Sequence, residues 1–156
     1  MKKIAIFAGS FDPITLGHYD IIIRGLTLFD KIIIAIGKNF NKKNMFSLEK
    51  RKIWIKKTFL KLSNKIEIDS FDGLTISFCK KRKVRFLLRG IRNQLDFEFE
   101  KNIYFINKKL NKKKDIETIY LFSSYTYISS CIVRNIIKNG GDYTTFVPYP
   151  VRIKLN

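Results

Sequence analysis

An apolar run, IAIFA at residues 4–8, passes directly into the sequence GSFDPITLGH at residues 9–18. An amphipathic segment then continues to about residue 29. An apolar run, a short polar turn and an amphipathic segment in this order predict a β-strand, a loop and an α-helix. Thr15 is a suitable N-cap for that helix, because its hydroxyl can accept a hydrogen bond from an unpaired backbone amide two or three residues later.

His18 is the only histidine in the chain, and the N-cap at Thr15 places it at the third position of the helix. Free backbone amides and the positive end of the helix dipole attract phosphate there, and the same field disfavours a protonated imidazole. We therefore expect a neutral imidazole that can donate a hydrogen bond to a phosphate oxygen. Gly9 and Gly17 flank the turn and let the backbone approach a ligand. The alternative is an ordinary surface or capping histidine. Neither a P-loop nor a dinucleotide-binding glycine motif is present to support a phosphate site independently.

The alternation of apolar runs and helical segments continues along the whole chain. Apolar strands such as IIIAI at 32–36 have to be buried on both faces, and such strands form a parallel sheet when right-handed helical crossovers join them. The sequence thus predicts an α/β fold, a Rossmann-like doubly wound five-stranded parallel sheet with helices on both faces, in a single domain over residues 1–156. Strands are predicted at 3–8, 31–37, 66–70, 84–88 and 117–122, helices at about 16–29, 47–62, 74–82, 95–112 and 128–138, and a short closing helix or tail at 148–155.

The chain is strongly basic, with 31 Lys and Arg against 13 Asp and Glu and a formal net charge of +18. Such a charge attracts nucleic acid, anionic membranes or phosphorylated metabolites. Lys, Ile, Asn and Phe are also abundant together, as A/T-rich coding sequence produces, so compositional drift is the competing explanation. With 156 residues and 46% hydrophobic content, the chain has the size of one domain with a substantial core.

The two cysteines, Cys79 and Cys131, lack the C-x-x-C spacing of a redox or zinc motif. They favour reduced thiols and a cytoplasmic protein. The apolar run at residues 4–8 is too short for a signal peptide, and no stretch has the length needed to span a bilayer, so no membrane association is expected.

Ligands of an open parallel sheet bind beyond the carboxyl ends of its strands. Phosphate-compatible groups follow four of the five predicted strands: a small hydroxyl with glycine, lysines, paired arginines and a serine-rich helix start. The segments concerned are 9–10, 38–43, 89–92 and 123–130. Because these ends share one edge of the sheet, we expect the groups to converge on one crevice.

Taken together, residues 9–18, 89–92 and 127–130 closely resemble those of bacterial phosphopantetheine adenylyltransferases. The match extends over nearly the whole chain. The superfamily of nucleotidyltransferases carries the motifs [HT]-x-G-H and I-S-S-[ST], which stand here as TLGH at 15–18 and ISSC at 128–131. Lys42, MFSLE at 45–49, RGIR at 89–92 and DFE at 96–98 also match the family.

The resemblance implies a reaction in which ATP and 4′-phosphopantetheine give dephospho-coenzyme A and pyrophosphate, a step of coenzyme A biosynthesis. The acceptor phosphate is already ionised at neutral pH, so the protein has to align the reactants and neutralise charge rather than supply a base or a covalent nucleophile. The resemblance assigns stabilisation of the transition state to His18. It also implies Mg²⁺ bound with ATP, in which the ion neutralises phosphate oxygens, and a homohexamer.

The family pattern carries over to two sets of binding residues. For the acceptor substrate they are Ser10, Lys42, Leu74, Thr75 and Arg89. For ATP they are Ser10, Phe11, His18, Gly90, Ile91, Arg92, Glu100, Tyr125, Thr126, Tyr127, Ile128, Ser129, Ser130 and Cys131. Cys131 stands where the family has a third serine, and Tyr125 where it often has tryptophan.

Several of these residues also have simpler interpretations. Lys42 could be a solvated lysine among neighbouring lysines, and Leu74 by its apolar character is expected in the core. Acidic residues near Glu100 could merely complement a helix dipole, and Ser129 could be an ordinary N-cap.

Two other functions remain open at this point. A nicotinamide mononucleotide adenylyltransferase or an alcohol-phosphate cytidylyltransferase would share His18 and the serines, and would differ in the acceptor pocket. The net charge also allows a basic RNA-binding module. We expect no nucleic-acid partner, because the arginines stand singly at strand ends and no RRM or KH motif is visible.

Overall fold

The computed structural model describes residues 2–38, 43–113 and 115–152. Five parallel strands form one sheet in the order β3-β2-β1-β4-β5. The strands are β1 Ile4–Gly9, β2 Lys31–Lys38, β3 Ile66–Asp72, β4 Phe86–Ile91 and β5 Glu117–Phe122. The helices are α1 Leu16–Gly25, α2 Leu48–Thr58, α3 Thr75–Lys81, α4 Gln94–Leu110 and α5 Ser130–Lys138, with short 3-10 turns at Leu60–Leu62, Thr144–Phe146 and Tyr149–Val151. This confirms the predicted α/β architecture.

Successive side chains of the central strand point into two different cores, because side chains alternate across a strand. Ala5 and Phe7 of β1 join one core with α1, α2 and α5, whereas Ile6 and Ala8 join the other with α3. Both faces of β1 are therefore covered, which explains its continuous apolar sequence.

Strand β4 is longer than the sequence predicts and begins later. It runs from Phe86 to Ile91, so Arg89, Gly90 and Ile91 lie inside the strand and not beyond it. Pairing with β5 continues to the contact between Ile91 and Phe122, and these pairs hold the segment extended. Ile91 is 1% exposed, so its side chain belongs to the core.

Three smaller differences concern helix ends and exposure. Helix α1 ends at Gly25 rather than near 29, and α2 ends at Thr58 before a separate 3-10 turn. Leu74 is 56% exposed at the start of α3, so the alternative interpretation of this residue as part of the core was wrong. Among the described helices, none combines the length and apolar composition that crossing a bilayer requires.

Candidate active site

A cavity of about 640 Å³ opens at the carboxyl ends of the neighbouring strands β1 and β4. The strand order of the sheet reverses between these two strands. This is the position at which open α/β sheets bind ligands. It brings together residues from the loop after β1, the start of α1, the end of β4, α4 and the start of α5. Of the predicted site residues, Ser10, Phe11, His18, Arg89, Gly90, Arg92, Glu100, Ile128, Ser129, Ser130 and Cys131 line it.

The remaining predicted residues lie elsewhere. Ile91 is buried in the core, and Leu74 and Thr75 lie at the start of α3, outside this cavity. Residues 125–127 belong to the loop that leads to α5 but do not line the cavity. Lys42 lies outside the described residues.

The start of α1 determines the state of the imidazole. Thr15 is the N-cap and His18 is the third helical residue, as predicted. The backbone N–H of Thr15 donates to Nδ1 of His18 over 3.0 Å, while the Thr15 hydroxyl accepts from the His18 backbone N–H over 3.4 Å. Because Nδ1 accepts a hydrogen bond, the proton of the neutral imidazole belongs on Nε2. The ring thus has one N–H left to donate.

The surroundings of His18 keep it neutral. Burial, and after it the positive charges of Arg92 and Arg89, lowers the pKa of His18 from 6.5 to about 4. The rings of Phe11 and Phe7 contact the imidazole edge-on, with centroids 5.0 and 6.2 Å away. The neutral imidazole can therefore donate a hydrogen bond to an anion without first taking up a proton.

Because His18 is the only histidine, its titration can be followed directly by ¹⁵N NMR of the imidazole. We expect the Nε2–H tautomer and no protonation as the pH falls through 6.5, with an apparent pKa of about 4. The unfolded chain binds a proton near pH 6.5 and the native chain does not, so the contribution of neutral His18 to the free energy of unfolding is complete above pH 6.5 and lost between 6.5 and about 4. An imidazole that titrates at its ordinary pKa in the folded protein would contradict this geometry.

Two arginines at the cavity are oriented by carboxylates of α4. Arg89 donates through Nε to both carboxylate oxygens of Glu100 over 3.1 Å, and through Nη1 to the Ala8 carbonyl over 2.8 Å. Arg92 donates to Asp96 through Nε over 2.8 Å and through Nη2 over 3.1 Å. Burial opposes ionisation of Asp96, but its hydrogen bonds from Arg92 hold the pKa below the usual value. Both guanidinium groups are therefore fixed before any ligand arrives.

The loop after β1 is fastened by two further arginines. Arg134 of α5 donates to the Asp12 carbonyl over 2.8 Å, and Ser130 donates to the Pro13 carbonyl over 2.8 Å. Arg51 of α2, which is 3% exposed, donates to the Ser10 carbonyl over 2.6 Å and to the Phe46 carbonyl over 3.1 Å. These bonds set the position of the Ser10 backbone opposite α5.

Arg51 provides a test of this fastening. We expect Arg51→Met to lower the free energy of unfolding by about 3 kcal/mol, because it leaves buried carbonyl groups without donors. Arg51→Lys keeps the charge but has no planar guanidinium to bridge two separate carbonyls. Its free energy of unfolding should therefore lie between those of the wild type and Arg51→Met. Urea unfolding followed by tryptophan fluorescence measures both variants, and wild-type stability of Arg51→Met would contradict the assigned role.

Ten residues that line the cavity lie outside the predicted set, and Arg134 and Ser123 are two of its polar members. Arg134 stands one helical turn after Ser130 on α5, and Ser123 follows β5, where its hydroxyl accepts from the Tyr125 backbone N–H over 3.0 Å. The spacing of four residues on a helix that begins at the cavity is the signal for Arg134 that the sequence contained. Ser129, in turn, is the N-cap of α5, with its hydroxyl accepting from the Ile132 backbone N–H over 3.2 Å.

Comparison with known proteins shows the kinship of the chain. A family model described as cytidylyltransferase-like matches residues 6–136. The chain is 57% identical to phosphopantetheine adenylyltransferase of Flavobacterium psychrophilum, with 99% of this chain and 100% of that protein covered. The protein of the same name from Christiangramia forsetii is 50% identical over the same shares of the two chains.

The fold is also that of solved structures of low sequence identity. A putative nicotinate-nucleotide adenylyltransferase from Vibrio parahaemolyticus superposes with a TM-score of 0.70 at 20% identity, covering 100% of both chains. A bifunctional NMN adenylyltransferase/ADP ribose pyrophosphatase from Francisella tularensis gives 0.69 at 20% identity, covering 98% of this chain and 46% of that one. At this identity the likeness concerns the fold alone.

Proposed function

This chain belongs to the phosphopantetheine adenylyltransferase family, and we propose that its cavity joins ATP to 4′-phosphopantetheine by direct transfer of the adenylyl group. The products are dephospho-coenzyme A and pyrophosphate. The observation that carries the mechanism is the hydrogen bond from the Thr15 backbone to Nδ1 of His18, which leaves the Nε2–H of a neutral ring at the cavity that Ser129 also lines.

The step is an in-line displacement at the α-phosphorus of ATP. A phosphate oxygen of the acceptor forms a bond to that phosphorus while the bond to the bridging oxygen of the β-phosphate breaks, and the electron pair leaves with pyrophosphate. The acceptor oxygen is already anionic, so no proton has to be removed. The task left to the protein is alignment and stabilisation of the charge that moves onto the oxygens of phosphorus.

The described side chains supply donors for that charge. We propose that His18 Nε2–H contacts an α-phosphate oxygen in the transition state, and that Arg92 and Arg134 with the amides at the start of α5 contact the β- and γ-phosphates. A helix N-terminus suits this role because its backbone N–H groups are unpaired. Ser10, Phe11, Gly90, Glu100 and residues 125–131 complete the proposed ATP site, with Cys131 contributing its amide in place of a hydroxyl.

The proposed acceptor site lies around Arg89. Arg89 is held at the cavity by Glu100 and is proposed to bind the acceptor phosphate together with Ser10. Lys42 is proposed for the same phosphate, and Leu74 and Thr75 for the pantetheine arm. The exposure of the Leu74 side chain suits contact with such an arm better than membership of the core.

Mg²⁺ is proposed to enter with ATP rather than to occupy a site of the protein. The two carboxylates at the cavity, Asp96 and Glu100, are engaged by Arg92 and Arg89, and the described residues contain no group of three acidic, His or Cys side chains placed to hold a metal. When bound, the ion neutralises phosphate oxygens and keeps several water ligands.

The unpaired thiols Cys79 and Cys131 support a cytoplasmic location.

Pyrophosphate release with ATP and different acceptors tests the proposed function. We expect turnover with 4′-phosphopantetheine and at least about a hundredfold lower kcat/KM with nicotinamide mononucleotide, because a site that hydrogen-bonds one acceptor leaves polar groups unpaired with another. Equal turnover with the two acceptors would overturn the substrate assignment. RNA binding with a steep salt dependence and no ATP affinity would overturn the enzyme assignment.

Helix α4 carries an apolar face that supports self-association. The large side chains Leu95, Phe99, Phe105, Ile106 and Leu110 are all exposed, Leu95 to 81%, and Glu100 is the one buried residue of this helix. Exposed apolar patches of this kind mark interaction sites. We propose that this face packs against other copies of the chain, in line with the homohexamer that the resemblance implies.

Sedimentation velocity measures this self-association. We expect the wild-type chain to sediment as an oligomer and a double variant, Leu95→Glu with Phe105→Glu, to sediment as smaller species, because burying two carboxylates in an apolar contact is unfavourable. Ile53→Glu is the matched control, since Ile53 is equally an exposed apolar residue but lies on α2. A monomeric wild-type chain, or the same effect from Ile53→Glu, would contradict the proposed interface.

A further inference from the structure

A second cavity, of about 630 Å³, lies at the opposite edge of the sheet. It is lined by the residues that immediately precede β4 and β5, namely 84–85 and 115–116, by the end of α4 and by the end of α3. The length of β4, roughly 20 Å at about 3.3 Å per residue, separates it from the edge of the sheet where the catalytic cavity opens. Its volume falls in the range of small-molecule sites.

Asn111 at this cavity is a buried amide without partners. Its side chain is 1% exposed, and within ranges 2–38, 43–113 and 115–152 neither Oδ1 nor Nδ2 finds a hydrogen bond. A buried polar group in that state costs about 1–3 kcal/mol, so most such groups in native proteins are paired. The amide presents a donor beside an acceptor, the arrangement that pairs with the edge of an adenine or of another amide.

Basic residues line this cavity at a higher frequency than they occur in the whole chain. Five of the eleven residues that line the cavity are Lys or Arg, against 31 of 156 in the whole sequence, so the basic composition alone does not account for them. These basic residues are Lys80, Lys83, Arg85, Lys112 and Lys113. One acidic residue, Asp115, also lines the cavity. Such an excess of positive charge favours an anionic ligand.

Lys83 holds a conformation that costs stability. Its φ is 53°, in the left-handed region, where it closes α3 through the hydrogen bond from the Val84 N–H to the Cys79 carbonyl over 3.0 Å. Glycine is the usual residue at such a helix end, and a side chain there costs on the order of 1 kcal/mol. The cavity thus contains two residues that weaken the fold, Asn111 and Lys83. Residues that weaken a fold are found preferentially at functional sites.

We propose that this cavity binds a phosphate ester of nucleotide size, with its phosphate at the lysines and the uncharged part on Asn111. The phosphate is held by Lys83, Lys112 and Lys113 at the rim. The amide of Asn111 pairs with a group that offers a donor next to an acceptor, as adenine does. The ligand reaches this site without passing the catalytic cavity, because the two open at opposite edges of the sheet.

The test titrates ¹⁵N-labelled protein with 5′-AMP, ribose 5-phosphate and adenosine, and follows two reporters in the same samples. The side-chain amide of Asn111 reports on the second cavity, and the imidazole of His18 reports on the catalytic one. We expect 5′-AMP to shift the Asn111 amide saturably, with an affinity about tenfold above that of ribose 5-phosphate and of adenosine, since each lacks one half of the contacts.

Two variants separate binding from folding. Asn111→Leu removes an unpartnered buried amide and Lys83→Gly relieves the left-handed strain, so both are expected to unfold at or above the wild-type temperature. Both should nevertheless weaken 5′-AMP binding at this cavity, by about tenfold for Asn111→Leu and about threefold to tenfold for Lys83→Gly, with backbone amides of residues 84–85 and 115–116 as the reporters. Lys81→Gln, an exposed lysine of the same helix that does not line the cavity, should bind as the wild type does.

Three outcomes would overturn the proposal. The first is 5′-AMP shifting His18 but not Asn111 at millimolar concentration. The second is wild-type affinity in both cavity variants. The third is an equal loss in Lys81→Gln, which would show that the general charge of the chain and not this cavity attracts the ligand. None of these outcomes depends on the catalytic assignment, because the reporter for the second cavity is independent of turnover.

Discussion

His18→Ala is expected to lower kcat by about 10²–10³-fold while changing the KM for ATP little, because it removes one donor whose bond strengthens only as charge develops in the transition state. The donor is the Nε2–H that remains after Nδ1 accepts from the Thr15 backbone. Removal of the ring also leaves the Thr15 N–H without its partner at the start of α1. Loss of rate could therefore come from the chemistry or from a loosened helix.

His18→Gln distinguishes these two causes. Glutamine is a preferred residue at the third helical position, where its side-chain oxygen can accept from the N-cap N–H as Nδ1 does here. We expect His18→Gln to retain the unfolding temperature of the wild type and still lose most of the turnover. Steady-state pyrophosphate release and thermal unfolding, measured on both variants, show which of the two causes lowers the rate. Recovery of full rate in His18→Gln, or nearly full rate in His18→Ala, would show that the imidazole is not the transition-state donor.

Arg89→Met is the second change with a large expected effect. Glu100 is 6% exposed, and its carboxylate accepts hydrogen bonds from the Arg89 guanidinium. Removal of the guanidinium leaves this buried carboxylate unpaired and should lower the free energy of unfolding by about 3–5 kcal/mol. Glu100→Leu should cost less, about 1–2 kcal/mol, because the partly exposed Arg89 keeps its bond to the Ala8 carbonyl and gains water. Both variants should lose most activity.

The double variant, Arg89→Met with Glu100→Leu, separates stability from function. Replacing both partners of a buried ion pair by apolar residues is often neutral for stability, so we expect the double variant to unfold near the wild type and to remain inactive. Urea unfolding and pyrophosphate release measure the two properties. A double variant that regains turnover would show that Arg89 serves only to neutralise Glu100.

The loop after β1 and the start of α1 could be predicted because each rests on local chemistry. The N-cap at Thr15 and the helical position of His18 follow from hydrogen bonding within four residues, and the structure confirms both. The parallel sheet was equally predictable, since the apolar run at 32–36 has to be buried on both faces. The joint lining of one cavity by His18 and Ser129 followed from the rule for strand ends.

What depends on pairing between distant segments could not be predicted in the same way. The extension of β4 to Ile91 requires the partner β5, whereas the sequence alone predicts that this strand ends at residue 88. The cap at Ser129 was foreseen, but the approach of Arg134 to the Asp12 carbonyl joins residues far apart in sequence. Such contacts arise from the packing of α5 on the first loop.

The exposed apolar residues were the other source of error. The apolar character of Leu74 alone indicated a core position, and the sequence predicted a helix at about 95–112 without showing that its apolar face points outward. An apolar side chain satisfies the hydrophobic effect equally in a core, at a ligand or between subunits. Sequence pattern does not distinguish these three environments.

The most direct test of adenylyl transfer at this cavity is a crystal structure of this chain with a non-hydrolysable ATP analogue. We predict that the α-phosphate lies within hydrogen-bond distance of Nε2 of His18, that the terminal phosphates contact the start of α5, and that the adenine lies beside the loop at residues 123–129. Density for the nucleotide at any place that leaves His18 and Ser129 without phosphate contacts would contradict the assignment of this cavity to adenylyl transfer.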